Sequence, residues 1–196
     1  MNSEDLKSNL NQIIEGPKLI KPEIFEDERG FFYESWNEEK LNKISEKKLK
    51  FFQDNHSKSY FRVLRGLHYQ LPPYKQGKLV RCIKGRVFDV AVDLRKSSKT
   101  YKQWISVNLD DSNKLLFWIP EGFAHGFLTL SKDAEILYKA TAPWKKSRER
   151  TILWNDIDLA INWPLKEIGF KSPILSEKDL EGLPLRQCIK NGDFFE

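Results

Sequence analysis

The stretch Arg86-Val87-Phe88-Asp89-Val90-Ala91-Val92-Asp93-Leu94 decides the fold. Phe88, Val90, Val92 and Leu94 alternate with Val87, Asp89, Ala91 and Asp93. That period of two belongs to a β-strand, whose successive side chains point to opposite faces. Just upstream, residues 79–83 read as a second strand, and Lys84-Gly85 predicts a tight hairpin turn between the two. Downstream, Ile105, Val107 and Leu109 alternate with Ser106 and Asn108, and residues 110–113 carry turn chemistry before another strand over 114–119. Pro120-Glu121-Gly122 breaks the chain again, and strands over 127–130 and 134–142 follow. Short strands at this spacing predict an all-β sandwich or barrel.

Outside this block the patterning thins. A helix is expected over 38–48, opened by Asn37 as N-cap with Glu38 and Glu39 in the first turn, and Leu41 and Ile44 share one face of it. Residues 1–16 read as a loose lead-in. Beyond Trp163-Pro164, residues 164–196 read as loop with one short helix near 176–181. No repeat or linker divides the chain, so residues 1–196 are expected to form one domain.

Composition narrows the function classes. A hydrophobic content of 40% with 13% aromatics excludes general disorder. No run of about 20 apolar residues exists, so no membrane span is expected, and Met1-Asn2-Ser3-Glu4-Asp5-Leu6-Lys7 lacks the apolar centre of a signal peptide. Cys82 and Cys188 have no metal spacing and are too few for a disulfide framework. A cytoplasmic, reduced protein is the simplest expectation. The net charge of +5 admits nucleic acid as a partner. However, Lys47-Lys48-Leu49-Lys50 and Lys145-Lys146-Ser147-Arg148 sit in polar, helix-end or loop contexts that suit solvated surface. A small anionic substrate accounts for the excess equally well, and no nucleic acid is expected.

Chemistry concentrates in Leu64-Arg65-Gly66-Leu67-His68-Tyr69-Gln70 and Gln76-Gly77-Lys78-Leu79-Val80-Arg81. His68, one of only three histidines, lies between the fixed cations Arg65 and Lys78. Imidazole exchanges protons near neutral pH, and flanking cations suit an anionic ligand. On a regular strand Arg65 and His68 would face opposite sides; a bulge at Gly66 would restore a common face. The alternative is a simple bend at Gly66 with His68 a hydrogen-bonded core residue. Gln53 and Asn55 share one face of an expected strand over 51–56. Arg29 sits in a turn leading into a strand that ends near Glu34, and His125 follows the Pro120–Gly122 break, where it could equally cap a strand end. Tyr138 shares a strand face with Ile136 and Ala140, ordinarily a core position. Ser176-Glu177-Lys178-Asp179 matches a helix capping box, with Asp179 serving the helix start and Lys178 at the surface. No His-x-His pair occurs, since Tyr69-Gln70 follows His68; no catalytic metal is expected.

Further stretches complete a pattern: Asp27-Glu28-Arg29-Gly30-Phe31-Phe32-Tyr33-Glu34, Gln53-Asp54-Asn55-His56-Ser57, Leu137-Tyr138-Lys139-Ala140-Thr141 and Ile152-Leu153-Trp154-Asn155-Asp156. Together with the segments above, from about residue 16 to 183, the chain resembles the dTDP-4-dehydrorhamnose 3,5-epimerase family. The resemblance implies a cupin-like jelly-roll β-sandwich with a few short peripheral helices. It also implies a cofactor-independent isomerase acting on a dTDP-4-keto-6-deoxy sugar. By this resemblance His68 is the general base, Asp179 the carboxylate that orients it, Lys78 the cation facing the enolate oxygen and Tyr138 the acid on the opposite ring face. Arg29, Glu34, Gln53, Asn55, Arg65, Lys78, His125, Glu149 and Lys178 fall on its substrate-binding positions. It further implies a homodimer in which Arg29 and Glu34, on the shared N-terminal strand, serve the neighbouring site.

One departure is local. Many members carry a tyrosine-rich stretch where this chain has Ala142-Pro143-Trp144-Lys145-Lys146, with Trp144 available as an aromatic face for the base. A single-site epimerase or ketoisomerase on the same scaffold, and a non-catalytic sugar-nucleotide-binding jelly roll, are the rival expectations.

Overall fold

Both faces of the 86–94 strand are buried, which makes the molecule a two-sheet sandwich with an additional outer cover. The computed structural model describes residues 1–196. In chain order its first strands are β1 (Asn2–Lys7), β2 (Ile13–Lys21), β3 (Ile24–Asp27) and β4 (Gly30–Tyr33), followed by the helix α1 (Glu38–Ser45). The central run is β5 (Gln53–Tyr60), β6 (Leu64–Gln70), β7 (Lys78–Lys84), β8 (Arg86–Asp93) and β9 (Trp104–Asp110). Then come β10 (Leu116–Ile119), β11 (Phe123–Thr129), β12 (Asp133–Ala140), β13 (Glu149–Thr151) and the short helices α2 (Glu177–Leu180) and α3 (Leu185–Lys190).

Six strands form one sheet in the order β1-β2-β10-β7-β12-β5, and five form the other in the order β13-β6-β11-β8-β9. All their pairings are antiparallel. The β3–β4 hairpin stands apart as its own two-stranded ribbon. Between the sheets, Val80, Phe117, Ile119 and Ile136 meet Val87, Ala91, Ile105 and Phe123. Burying each of these side chains larger than alanine contributes about 1.5–3 kcal/mol. On the far side of the five-stranded sheet, Val90, Val92 and Leu94 pack under Leu159, Trp163, Leu165, Leu185, Cys188 and Phe195. The other sheet is covered more lightly, by Leu41 of α1 against Ile20, Leu79, Leu116 and Trp118.

Several expectations need correction. Lys84-Gly85 does turn the chain, but β7 and β8 do not form a hairpin: β7 pairs with β10 and β12, whereas β8 pairs with β9 and β11. The turn is a corner at which the chain changes sheets. Gly85 sits at φ +75°, where a Cβ would lie 2.1 Å from the Asp133 carbonyl oxygen, so only glycine fits. Residues 1–16 are not a loose lead-in, since β1 pairs with β2 from Asn2 against Lys21 to Lys7 against Ile13. The segment 164–196 holds two helices rather than one, and its apolar side chains cover the five-stranded sheet. The helix after Asn37 stands as expected, with the Asn37 side chain accepting the Lys40 N–H at 3.0 Å, although it ends at Ser45.

Candidate active site

Residues of both sheets line a cavity of about 360 Å³. Its key irregularity lies on β6. Arg65 stands opposite Phe127 and His68 opposite His125, so three steps on β6 match two on β11. This is the bulge expected at Gly66, and it brings Arg65 and His68 into the same cavity. Gly66 has φ +127°, and a Cβ there would come within 2.5 Å of the Gly126 Cα. Close backbone packing and left-handed geometry both require glycine.

His68 Nε2 faces Asp179 Oδ1 at 2.5 Å. The same oxygen accepts the Gly66 N–H at 3.3 Å, and Oδ2 accepts the Ser176 hydroxyl at 2.7 Å. Ser176 does cap α2, accepting the Asp179 N–H at 3.3 Å. The capping-box reading of Asp179 is therefore corrected in part: its backbone is capped, but its carboxylate turns to His68. Burial opposes ionisation of Asp179, yet the hydrogen bonds from His68, Ser176 and Gly66 outweigh it and hold the carboxyl below its ordinary range. Burial lowers the pKa of His68, against the pull of Asp179 and helped by Lys178 and Lys78. The pair is thus an ionised carboxylate and a neutral imidazole. Nε2–H donates to Asp179, leaving Nδ1 with a free lone pair.

Lys78, at the start of β7, is nearly buried, and burial drives its ammonium down to about 8 against the attraction of Asp89 and Glu149. His125 Nε2 bonds Asp89 Oδ1 at 2.8 Å, and both side chains are buried. Asp89 belongs to the polar alternation of β8, so that face points inward rather than to solvent. Tyr138 reaches the cavity from β12 in the six-stranded sheet, while His68 reaches it from β6 in the other. Imidazole and phenol therefore stand on facing walls. Burial first, then Glu149, raises the Tyr138 pKa, so its hydroxyl stays protonated at neutral pH.

Arg65 lines the mouth with its guanidinium held by Ser59 Oγ at 2.9 Å and the Lys58 carbonyl at 3.1 Å. Lys178 pairs with Glu149 at 3.0 Å, and both line the same cavity as Arg65. Gln53 and Asn55 line it too, but they are partly committed: Gln53 Nε2 donates to Asn55 Oδ1 at 2.7 Å, and Gln53 Oε1 accepts the Trp144 N–H at 3.0 Å. Trp144 itself forms part of the rim.

Two expected residues lie elsewhere in this chain. Arg29 is exposed in the β3–β4 turn and pairs with Asp27 through Nε at 3.1 Å. Glu34 bonds Lys40 and Asn37. The third histidine, His56, points away from the cavity to Glu135 at 3.0 Å. Ser57, Gln70, Gln76 and Phe127 line the cavity without having been singled out in the sequence. Ser57 continues the 53, 55 parity and Gln70 lies two residues beyond His68, so both were within reach of periodicity; Gln76 precedes its strand and gave no signal. No group of three or more His, Cys, Asp or Glu side chains is placed to hold a metal. No helix is long and apolar enough to cross a membrane.

Comparison with known proteins adds a direct finding. Residues 11–187 match the family model described as dTDP-4-dehydrorhamnose 3,5-epimerase. A protein of that name from Shigella flexneri is 52% identical over 177 residues, 90% of this chain and 93% of the relative. Among solved structures, the dTDP-6-deoxy-D-glucose-3,5-epimerase of Legionella pneumophila Philadelphia 1, in complex with dTDP-4-keto-L-rhamnose, is 43% identical. It superposes with a TM-score of 0.85 over 94% of both chains. A 3'-monoepimerase from Streptomyces bikiniensis, in complex with dTDP-quinovose, is 30% identical with a TM-score of 0.85, covering 92% of this chain and 89% of that one.

Proposed function

The chain belongs to the dTDP-4-dehydrorhamnose 3,5-epimerase family, and we propose that it inverts C3 and C5 of dTDP-4-dehydro-6-deoxy-D-glucose to give dTDP-4-dehydro-L-rhamnose. The C4 carbonyl acidifies the protons on both neighbouring carbons. Neutral His68 takes such a proton and becomes imidazolium beside ionised Asp179, while the C–H electron pair moves into an enolate. The Lys78 ammonium offsets the charge that develops on the enolate oxygen, in water-poor surroundings where such an interaction is strong. Tyr138 then gives its hydroxyl proton to the opposite face of the carbon, and proton exchange with solvent resets both groups. Return on the same face would regenerate the starting stereocentre, so an acid and a base on facing walls are what inversion requires.

One observation carries this reading: His68, bonded to Asp179, and Tyr138 enter one cavity from different sheets. Arg65 and Lys178 at the mouth suit the pyrophosphate. We further infer a homodimer in which Arg29 and Glu34 serve the partner's cavity. The support is a separate β3–β4 ribbon that carries Arg29 away from its own site and exposes Phe25, Phe31 and Phe32.

Proton NMR of the 4-keto sugar nucleotide with this protein in D2O tests the assignment. Deuterium at both C3 and C5 with the L-rhamno product is expected. Deuterium at one carbon alone would make it a single-site epimerase, and binding without exchange would overturn an enzymatic role.

A further inference from the structure

Residues 142–144, around Trp144, make no backbone–backbone hydrogen bond, yet side-chain amides pin this loop. Gln76 Nε2 donates to the Ala142 carbonyl at 2.7 Å. Gln70 Nε2 donates to the Pro143 carbonyl at 3.2 Å, and its Oε1 accepts the Lys145 N–H at 2.6 Å. Gln53 Oε1 accepts the N–H of Trp144 itself. Three glutamines from three different places along the chain thus hold four consecutive residues. Gln70 is almost fully buried and uses its remaining amide hydrogen on the Tyr74 carbonyl at 2.8 Å, tying the 71–75 loop to the same post.

Such a clamp costs buried polar groups that must all be satisfied, and here they are. Its yield is preorganisation: a half-exposed indole at the cavity rim is held in place before a ligand arrives, which removes an ordering cost from binding. We propose that Gln70 and Gln76 are positioning residues that fix the Trp144 loop as one rigid wall of the nucleotide end of the cavity. They act on affinity rather than on proton transfer. This rests on the sugar-nucleotide reading above. Neither glutamine bonds His68, Lys78, Tyr138 or Asp179, so the reacting groups keep their hydrogen bonds when the clamp is loosened.

The test is a double-mutant cycle on dTDP binding measured by calorimetry, with Gln70→Met, Gln76→Ala and Trp144→Ala, alone and in pairs. Gln70→Met keeps the volume while removing the amide; Gln76→Ala loosens the clamp from a less buried position should the first variant fold poorly. Each is expected to weaken dTDP binding about tenfold and to raise KM with kcat within about twofold. In the Trp144→Ala background neither should weaken binding further. Multiplicative losses in that background, unchanged affinity in both glutamine variants, or a fall in kcat with KM unmoved would each overturn the proposal. Failure of the unsubstituted protein to bind dTDP would instead overturn the substrate reading and the clamp's role with it.

Discussion

In the proposed mechanism His68, as the base, and Lys78, as the cation, set opposite limbs of the pH profile. His68 must be neutral to accept a proton, and burial holds its pKa below the ordinary 6.5, so the acid limb of kcat/KM should fall below that pH. Lys78 must be charged, so activity should decline as pH rises through about 8. In Lys78→Arg, whose guanidinium does not deprotonate, whatever activity survives should lose that alkaline decline; a pH–rate series checks both limbs. Lys78 also carries a stability cost. Its ammonium falls from 10.5 to about 8 on burial, which at 1.36 kcal/mol per unit is about 3 kcal/mol. The depressed value means the cost is full below pH 8 and is relieved as pH rises toward 10.5. Lys78→Met should therefore abolish turnover yet raise stability at pH 7 by on the order of 1–3 kcal/mol, measured by urea titration. His68, Arg65 and Lys78 were legible in the sequence because titratable and cationic residues are conspicuous among strand residues. Tyr138 and Asp179 were not legible from spacing alone. A tyrosine on an apolar face reads as core and an aspartate at N3 reads as a cap, so only resemblance to the family singled them out.

At the scale of elements, the bulge in β6 does the positioning. Gly66→Ala would force a Cβ to within 2.5 Å of Gly126 Cα at a φ of +127°. Backbone strain and overpacking together should cost on the order of 2–5 kcal/mol. Chemical denaturation should register that loss. Where the protein still folds, turnover should fall further than substrate binding, because Arg65 and His68 would no longer share a face. The bulge was legible, since three residues separate two side chains that chemistry wants together and a glycine lies between them. Strand partnership was less so. Lys84-Gly85 announced a turn, but local residues cannot say whether the chain turns back on its neighbour or crosses to the other sheet. The two-faced burial of β8 was hidden for a related reason: an alternation that includes Asp89 does not say that this carboxylate is buried against His125 at 2.8 Å.

Over the whole molecule, the contrast is between a closed sandwich and an exposed β3–β4 ribbon. If Arg29 serves the partner's cavity, Arg29→Ala and His68→Ala chains should each be nearly inactive alone. Mixed and refolded together they should recover activity, because one site of the mixed dimer regains both groups; absence of complementation would place Arg29 at its own site or at none. The early strands and the C-terminal cover escaped the sequence reading because their place is set by pairing and packing with distant segments, not by their own periodicity. Inversion depends on the two facing walls, and Tyr138→Phe in D2O probes them by comparing deuterium uptake with product formation. Uptake at C3 or C5 should persist within about tenfold, while the inverted product falls by about 10²–10⁴-fold, the usual worth of a positioned acid. Loss of both in equal proportion, or unchanged turnover, would contradict the account.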